Sequence, residues 1–299
     1  LRPRDEPTRP GANLIALIEA SLRDATPEAL DFFGRERDRA RELLAAGRSA
    51  AEVAALVLRA AERLDPLVAE LVRERPPACS SGCSRCCHGL KIEVSAPEAV
   101  AIAEYLRGLA PAELAQTCEQ MAEEAAYART LDADTRWREQ TACAFLEDAT
   151  GQCVIYDVRP FTCRAHTSMS VEQCEAAATD PERRTPIDKH LIPASVFGMA
   201  KSALTIACNE ANLDPRSFEI TNAVSVALNQ PDAAERWGRG EPVFDAAVIP
   251  SDDSDAALSL QNLARSGLLA PERLLKRPAE RAERNAKKRQ RRADRDKRR

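Results

Sequence analysis

Four cysteines fall within nine residues in the run Cys79-Ser-Ser-Gly-Cys83-Ser-Arg-Cys86-Cys87-His88-Gly89. The spacers are short and polar, and two glycines break any helical or strand period, so the run predicts a loop wound around a point where several sulfurs meet. Thiolates are soft anionic donors that select zinc, copper(I) and iron–sulfur centres over hard cations. The chain has ten cysteines in all. No apolar run near its start reads as a signal peptide, so the expected setting is reducing and cytoplasmic, where thiols serve as ligands or redox groups rather than disulfides.

A second group spans Cys143, Cys153, Cys163 and Cys174. The first three sit beside turn residues and the sharp Arg159-Pro160 step, not on helix faces; Cys174 is the least constrained by spacing. Cys79-x-x-x-Cys83-x-x-Cys86-Cys87, Cys143-x-Phe145-Leu146, Cys153-x-Ile155-Tyr156-x-x-Arg159-Pro160-x-x-Cys163-Arg164 and Cys174, in this order, resemble the YkgJ-type cysteine-cluster family. That zinc- or iron-chelating family is named for its CxxCxxCC pattern. The resemblance covers about a third of the chain and implies eight metal ligands: Cys79, Cys83, Cys86, Cys87, Cys143, Cys153, Cys163 and Cys174. The chain departs from the pattern in its first gap, three residues instead of two, and in Ala144, where the family commonly has proline. The implied cofactor is zinc or iron, including a 4Fe-4S cluster, and the implied partner is a metal ion. Eight thiolates exceed what one tetrahedral ion needs, so two four-cysteine sites or one polynuclear centre are both open. Arg159 and Arg164 are candidates to offset the negative charge, or else ordinary carboxylate-paired arginines. His88 and His166 are candidate additional ligands. Cys118 and Cys208 lie at helical spacing and read as packing residues.

The rest of the chain reads as helix. Only 4% of residues are aromatic, so its helices must pack through small aliphatic side chains. Apolar positions from Leu14 to Leu22 share one helix face, Thr26-Pro27 opens a helix running to Ala46, and Ser49 caps another. Ser95-Ala-Pro-Glu98 is a capping box. Leu90–Val94 and Cys153–Tyr156 are short strand candidates, and residues 193–229 read mainly as helix. Apolar stretches such as Ile192–Cys208 are too interrupted to span a bilayer, so no membrane is expected. The expected fold is mainly α, a helical domain around an irregular cysteine-rich metal centre with at most short β-strands. The expected divisions are a helical region at 1–76 packing on the core, the cysteine-cluster domain at 77–230, a linker and short helix at 231–272, and a basic disordered tail at 273–299.

Two other function classes fit parts of the chain. Cys79-x-x-x-Cys83-x-x-Cys86 matches the radical SAM spacing, and a protein methyltransferase with a similar cysteine pattern is related to that reading. Both would make the protein an iron–sulfur enzyme. Strands are too few for the partial barrel of the first, and no glycine-rich cofactor loop supports the second. Alternatively the basic C-terminal tail, which includes Lys287 to Arg292, would contact nucleic acid phosphates without reading sequence. Serine-hydrolase, P-loop and paired-carboxylate motifs are absent. The acidic residues at Glu28–Glu42 and Glu113–Glu124 read as solvated helix faces.

Overall fold

The computed structural model describes residues 11–249 apart from 24, 81, 129, 130, 148 and 184. The expected tail at 273–299, the short helix near 256–270 and most of the N-terminal lead-in lie outside the described residues.

The three N-terminal helices are α1 (Ala12–Arg23), α2 (Pro27–Ala46) and α3 (Ala50–Leu71). Their starts are set by local chemistry. Thr26 accepts from the Ala29 N–H ahead of Pro27, and Ser49 with Glu52 closes a capping box, which satisfies amides that have no partner inside the helix. Pro66 lies inside α3, which continues to Leu71.

After the first cysteine run come β1 (Glu93–Val94), α4 (Ala96–Arg107), α5 (Pro111–Ala128) and α6 (Ala133–Glu139). A hairpin follows, β2 (Leu146–Glu147) with β3 (Gln152–Cys153), then α7 (Phe161–Ala165), α8 (Val171–Thr179) and α9 (Leu191–Glu210). The described chain closes with β4 (Phe218–Glu219), α10 (Ile220–Asn229) and α11 (Ala233–Gly238). Among the described residues the strands form two antiparallel pairs: β1 with β4, Val94 opposite Phe218, and β2 with β3, Leu146 opposite Cys153. The fold is therefore mainly α with short strands only, and no parallel strand pair is found among the described residues.

α9 lies at the centre, packing on α2, α3 and α7, while α4 is held between α3 and α10. By length and apolar composition α9 matches a membrane-spanning helix, yet most of it is buried inside this bundle. Its one lysine, Lys201, reaches the Glu93 carbonyl and Thr162 Oγ1, each at 3.0 Å, and so joins the core helix to β1 and α7. One continuous apolar core includes Leu44, Val57, Ile102, Phe145, Phe197 and Trp237, so the N-terminal helices and the cysteine-bearing segments share an interior.

Two sequence expectations change. The stretch read as a linker from Asp232 is packed as far as it is described: α11 and the turn after it bury Trp237, Phe244 and Ala247 completely. Its Pro, Gly and Asp residues shape tight turns around two large anchors. The acidic faces are also not uniformly solvated, because Glu36 and Glu124 are buried. Glu36 pairs with Arg39 and Arg63, and Glu124 with Arg136.

Candidate metal centre

The first cysteine run is bent by two glycines with positive φ, Gly82 (78°) and Gly89 (107°). Between them residues 85–87 make a single 3-10 turn, closed by the Cys87 N–H on the Ser84 carbonyl at 2.8 Å. Gly89 is needed for space as well as for φ. A Cβ there would stand 3.1 Å from both Cα and Cε3 of Trp137.

Backbone pairing fastens this loop to the second cysteine group. The Cys143 N–H donates to the Cys87 carbonyl at 2.8 Å, the Gly89 N–H donates to the Thr141 carbonyl at 2.9 Å, and His88 bridges Ala142 in antiparallel register. At the other end the Ala78 N–H donates to the Ser168 carbonyl at 2.8 Å, and the Ser168 N–H donates to Cys79 Sγ at 3.3 Å. The β2–β3 hairpin presents Cys153, α7 carries Cys163 and α8 carries Cys174. Cys163 thus sits in a short helix rather than the irregular segment expected. α8 rests on the 3-10 turn, with Arg85 paired to Glu175 at 3.1 Å.

The eight cysteines fall into two groups. Cys79, Cys83, Cys86 and Cys174 line one cavity together with His166 and Trp137. Cys143, Cys153 and Cys163 pack against the apolar core, with Cys87 tied to Cys143 through its carbonyl; burial pushes the Cys143 thiol up to about 12 and the Cys163 thiol well above its ordinary value, and their neighbouring cysteines push the same way. Cys86 and Cys87 join the groups. The neighbouring Cys87 thiol holds Cys86 down to about 7, and Cys86 in turn raises Cys87. The backbone N–H groups of Phe145 and Ile155 lower the Cys143 and Cys153 thiols respectively, against the larger effect of burial. Ser168 does the same for Cys79. All ten cysteines are free.

The surroundings carry positive charge that is not fully used. Arg159 lies with its guanidinium 4.2 Å over the Tyr156 ring, and its charge favours the thiolates of Cys86, Cys153 and Cys163. Its Nε is buried with no hydrogen-bond partner among the described residues, and so is Nη1 of Arg136, whose charge favours the Cys143 thiolate. Buried donors are nearly always paired, so two orphaned guanidinium N–H groups beside a thiol cluster suit a centre that carries net negative charge. Arg164 differs from Arg159. It bonds the Arg159 carbonyl at 2.9 Å and the Asp157 carbonyl at 2.7 Å and pairs with Asp65 of α3, so it fixes the loop before α7.

The histidines separate as well. His190 is structural: its Nε2 meets the Arg75 carbonyl at 2.9 Å and its Nδ1 accepts from the Ile192 N–H at 3.2 Å. His166 lines the thiol cavity, where burial and then Lys189 push its pKa down to about 4 and keep the ring neutral. Cys208 is buried as expected, whereas Cys118 is exposed and does not pack. Sequence reasoning missed the Glu124–Arg136 brace. Glu124 accepts from the Ala144 N–H at 2.7 Å, and Arg136 donates to the Leu90 carbonyl at 3.0 Å and the Ala142 carbonyl at 3.3 Å. The pair therefore grips both cysteine segments. Nothing in the spacing of Glu124 and Arg136 marks them as partners.

Among the described residues no group of three or more His, Cys, Asp or Glu side chains is already drawn to coordination distance of one point. Burial holds the thiols of Cys79, Cys143, Cys153 and Cys163 above the ordinary value, and metal binding requires those protons to leave. The donor chemistry fits zinc or iron: soft sulfurs, amides aimed at them, and unpaired cationic donors behind them.

Fold and site together define a helical cysteine-cluster protein. Residues 78–182 match the family model "CxxCxxCC: Putative zinc- or iron-chelating domain", the family its cysteine pattern resembles. The match supports metal binding by this segment. Comparison with curated proteins gives no match, and neither does comparison with solved structures.

Proposed function

We propose that the chain chelates zinc or iron through the thiolates of Cys79, Cys83, Cys86, Cys87, Cys143, Cys153, Cys163 and Cys174. The observation that carries this reading is the backbone ladder from Cys87 to Cys143, which sets two distant cysteine groups against each other. A bound ion would supply the positive charge that lets several thiolates share one interior. The chain's own residues supply the rest. Phe145, Ile155 and Ser168 amides stabilise sulfur charge, Arg159 and Arg136 offset what remains, and the Glu124–Arg136 pair sets the spacing of the two segments. Ten free thiols suit a reducing compartment, and we place the protein in the cytoplasm.

Anaerobic purification followed by metal and sulfide analysis tests the reading. Colourless protein with stoichiometric zinc supports zinc chelation. Brown protein with iron and acid-labile sulfide supports a cluster. A folded sample that holds neither metal, and takes up neither when offered, overturns it.

A further inference from the structure

The described chain offers several candidates beyond the eight thiolates. Glu98, buried at the junction of α4 and α7, is fully occupied by the Ser95 hydroxyl and the Ser95 and Phe161 amides. The exposed large apolar residues, among them Leu30, Tyr127 and Leu191, are scattered over separate helices. The thiol-lined cavity is different, because it contains a donor that the eight-cysteine set does not include.

His166 follows α7 and lines the same cavity as Cys79, Cys83, Cys86 and Cys174. Its backbone N–H is held by the Thr162 carbonyl at 3.1 Å and the Cys163 carbonyl at 3.3 Å, so the residue is fixed to the end of the helix that carries Cys163. Its ring makes no hydrogen bond with a described residue, in contrast to His190, whose two ring nitrogens are both engaged. An imidazole fixed at the backbone, with its ring free beside sulfur donors, is arranged as a ligand.

Packing divides the sulfurs the same way. Cys143, Cys153 and Cys163 pack against the apolar core, whereas Cys79, Cys83 and Cys174 line the cavity with His166. Cys86 lines that cavity too and is followed in the chain by Cys87, whose carbonyl receives the Cys143 N–H.

Resting on the metal-chelating reading above, we propose that the chain holds an outer ion through Cys79, Cys83, Cys174 and His166, separate from an inner ion enclosed by Cys87, Cys143, Cys153 and Cys163, with Cys86 between them. Three sulfurs and one nitrogen complete a tetrahedral set for zinc or iron(II). The outer ion shares its cavity with Trp137 and Ile187. The inner ion lies against the apolar core, so the two are expected to exchange at different rates, the outer one leaving first to a chelator.

The test uses the full chain, made metal-free under reducing conditions and titrated anaerobically with cobalt(II), then with zinc(II) in competition. Wild type is expected to take up two ions of distinguishable affinity, both with sulfur-to-cobalt absorption. His166→Gln is expected to weaken one class at least tenfold and leave the other unchanged. Cys174→Ser is expected to affect the same class as His166→Gln, and Cys163→Ser the opposite one. X-ray absorption of the zinc-loaded wild type needs no variant and is expected to show a nitrogen scatterer in addition to sulfur, retained in His88→Gln. A wild type coordinated by sulfur alone, or a folded His166→Gln chain with unchanged uptake, overturns this proposal and leaves metal chelation standing. A wild type that binds no ion through sulfur overturns both.

Discussion

Gly89 shows how a single residue governs the centre. Its φ of 107° strains any side chain, and the 3.1 Å approach of Trp137 makes a Cβ there a tight fit. Gly89→Ala is expected to destabilise the metal-free protein by about 1–3 kcal/mol, read from urea unfolding, and to weaken metal uptake because Gly89 lies on the ladder between the cysteine groups. At His190 the effect is one of pH. Burial, the larger influence, and the Arg75 charge hold its pKa below the ordinary value against the Arg75 carbonyl, and burial does the same to His166, down to about 4. Groups with depressed folded pKa values contribute stability above the unfolded value, about 6.5, and lose it as pH falls through the folded one. Metal-free protein is therefore expected to lose stability from about pH 6.5 towards pH 4. In His190→Gln the acid loss should be smaller, on top of a lower starting stability. Denaturant midpoints measured across that range decide it; equal pH slopes in the variant and the parent would count against the assignment.

Among the elements, α5 and α6 act as a brace through Glu124 and Arg136. Removing one member of a buried ion pair costs about 3–5 kcal/mol, since the other is left charged and unpaired. Glu124→Ala is expected to fall in that range, and Glu124→Leu with Arg136→Met to recover much of it in thermal unfolding. Metal affinity should recover less, because the apolar pair no longer holds the Leu90, Ala142 and Ala144 backbone. The helices themselves were largely readable from the sequence. Caps at Thr26, Ser49 and Ser95 are local chemistry and fall where the residues put them. The order of the eight cysteines marks them as a set through the family resemblance, and the fold brings the Cys87 and Cys143 segments together by backbone pairing. Elements held by tertiary contact were not readable: α6, α7 and α8 are short, and α11 is held by Trp237 under a run of turn residues. The brace escaped notice for the same reason. Glu124 and Arg136 look like surface residues until Leu90, Ala142 and Ala144 are brought against them. The exposure of Cys118 was missed because helical spacing alone does not tell which face of α5 is covered.

At the scale of the whole molecule, metal and fold are one equilibrium. Ligand that binds only the folded chain stabilises it by about 4 kcal/mol at a thousandfold excess over its dissociation constant. Calorimetry with and without a chelator should therefore show a clear fall in Tm on metal removal; identical traces would separate binding from folding. Burial holds Cys79, Cys143, Cys153 and Cys163 above the ordinary thiol value, so binding must expel protons. Apparent affinity is expected to climb more than about tenfold per pH unit from 6 to 8, and proton release in a weakly buffered titration measures it directly. The pairing of Cys87 with Cys143, and of Cys79 with Ser168, has a further consequence for how the molecule is made. A ribosome delivers Cys79 to Cys87 long before it delivers Cys174, so the nascent chain displays bare sulfhydryls while their counterparts are still being translated. Maturation must then come late, and until it does the newborn polypeptide depends on its surroundings to stay reduced.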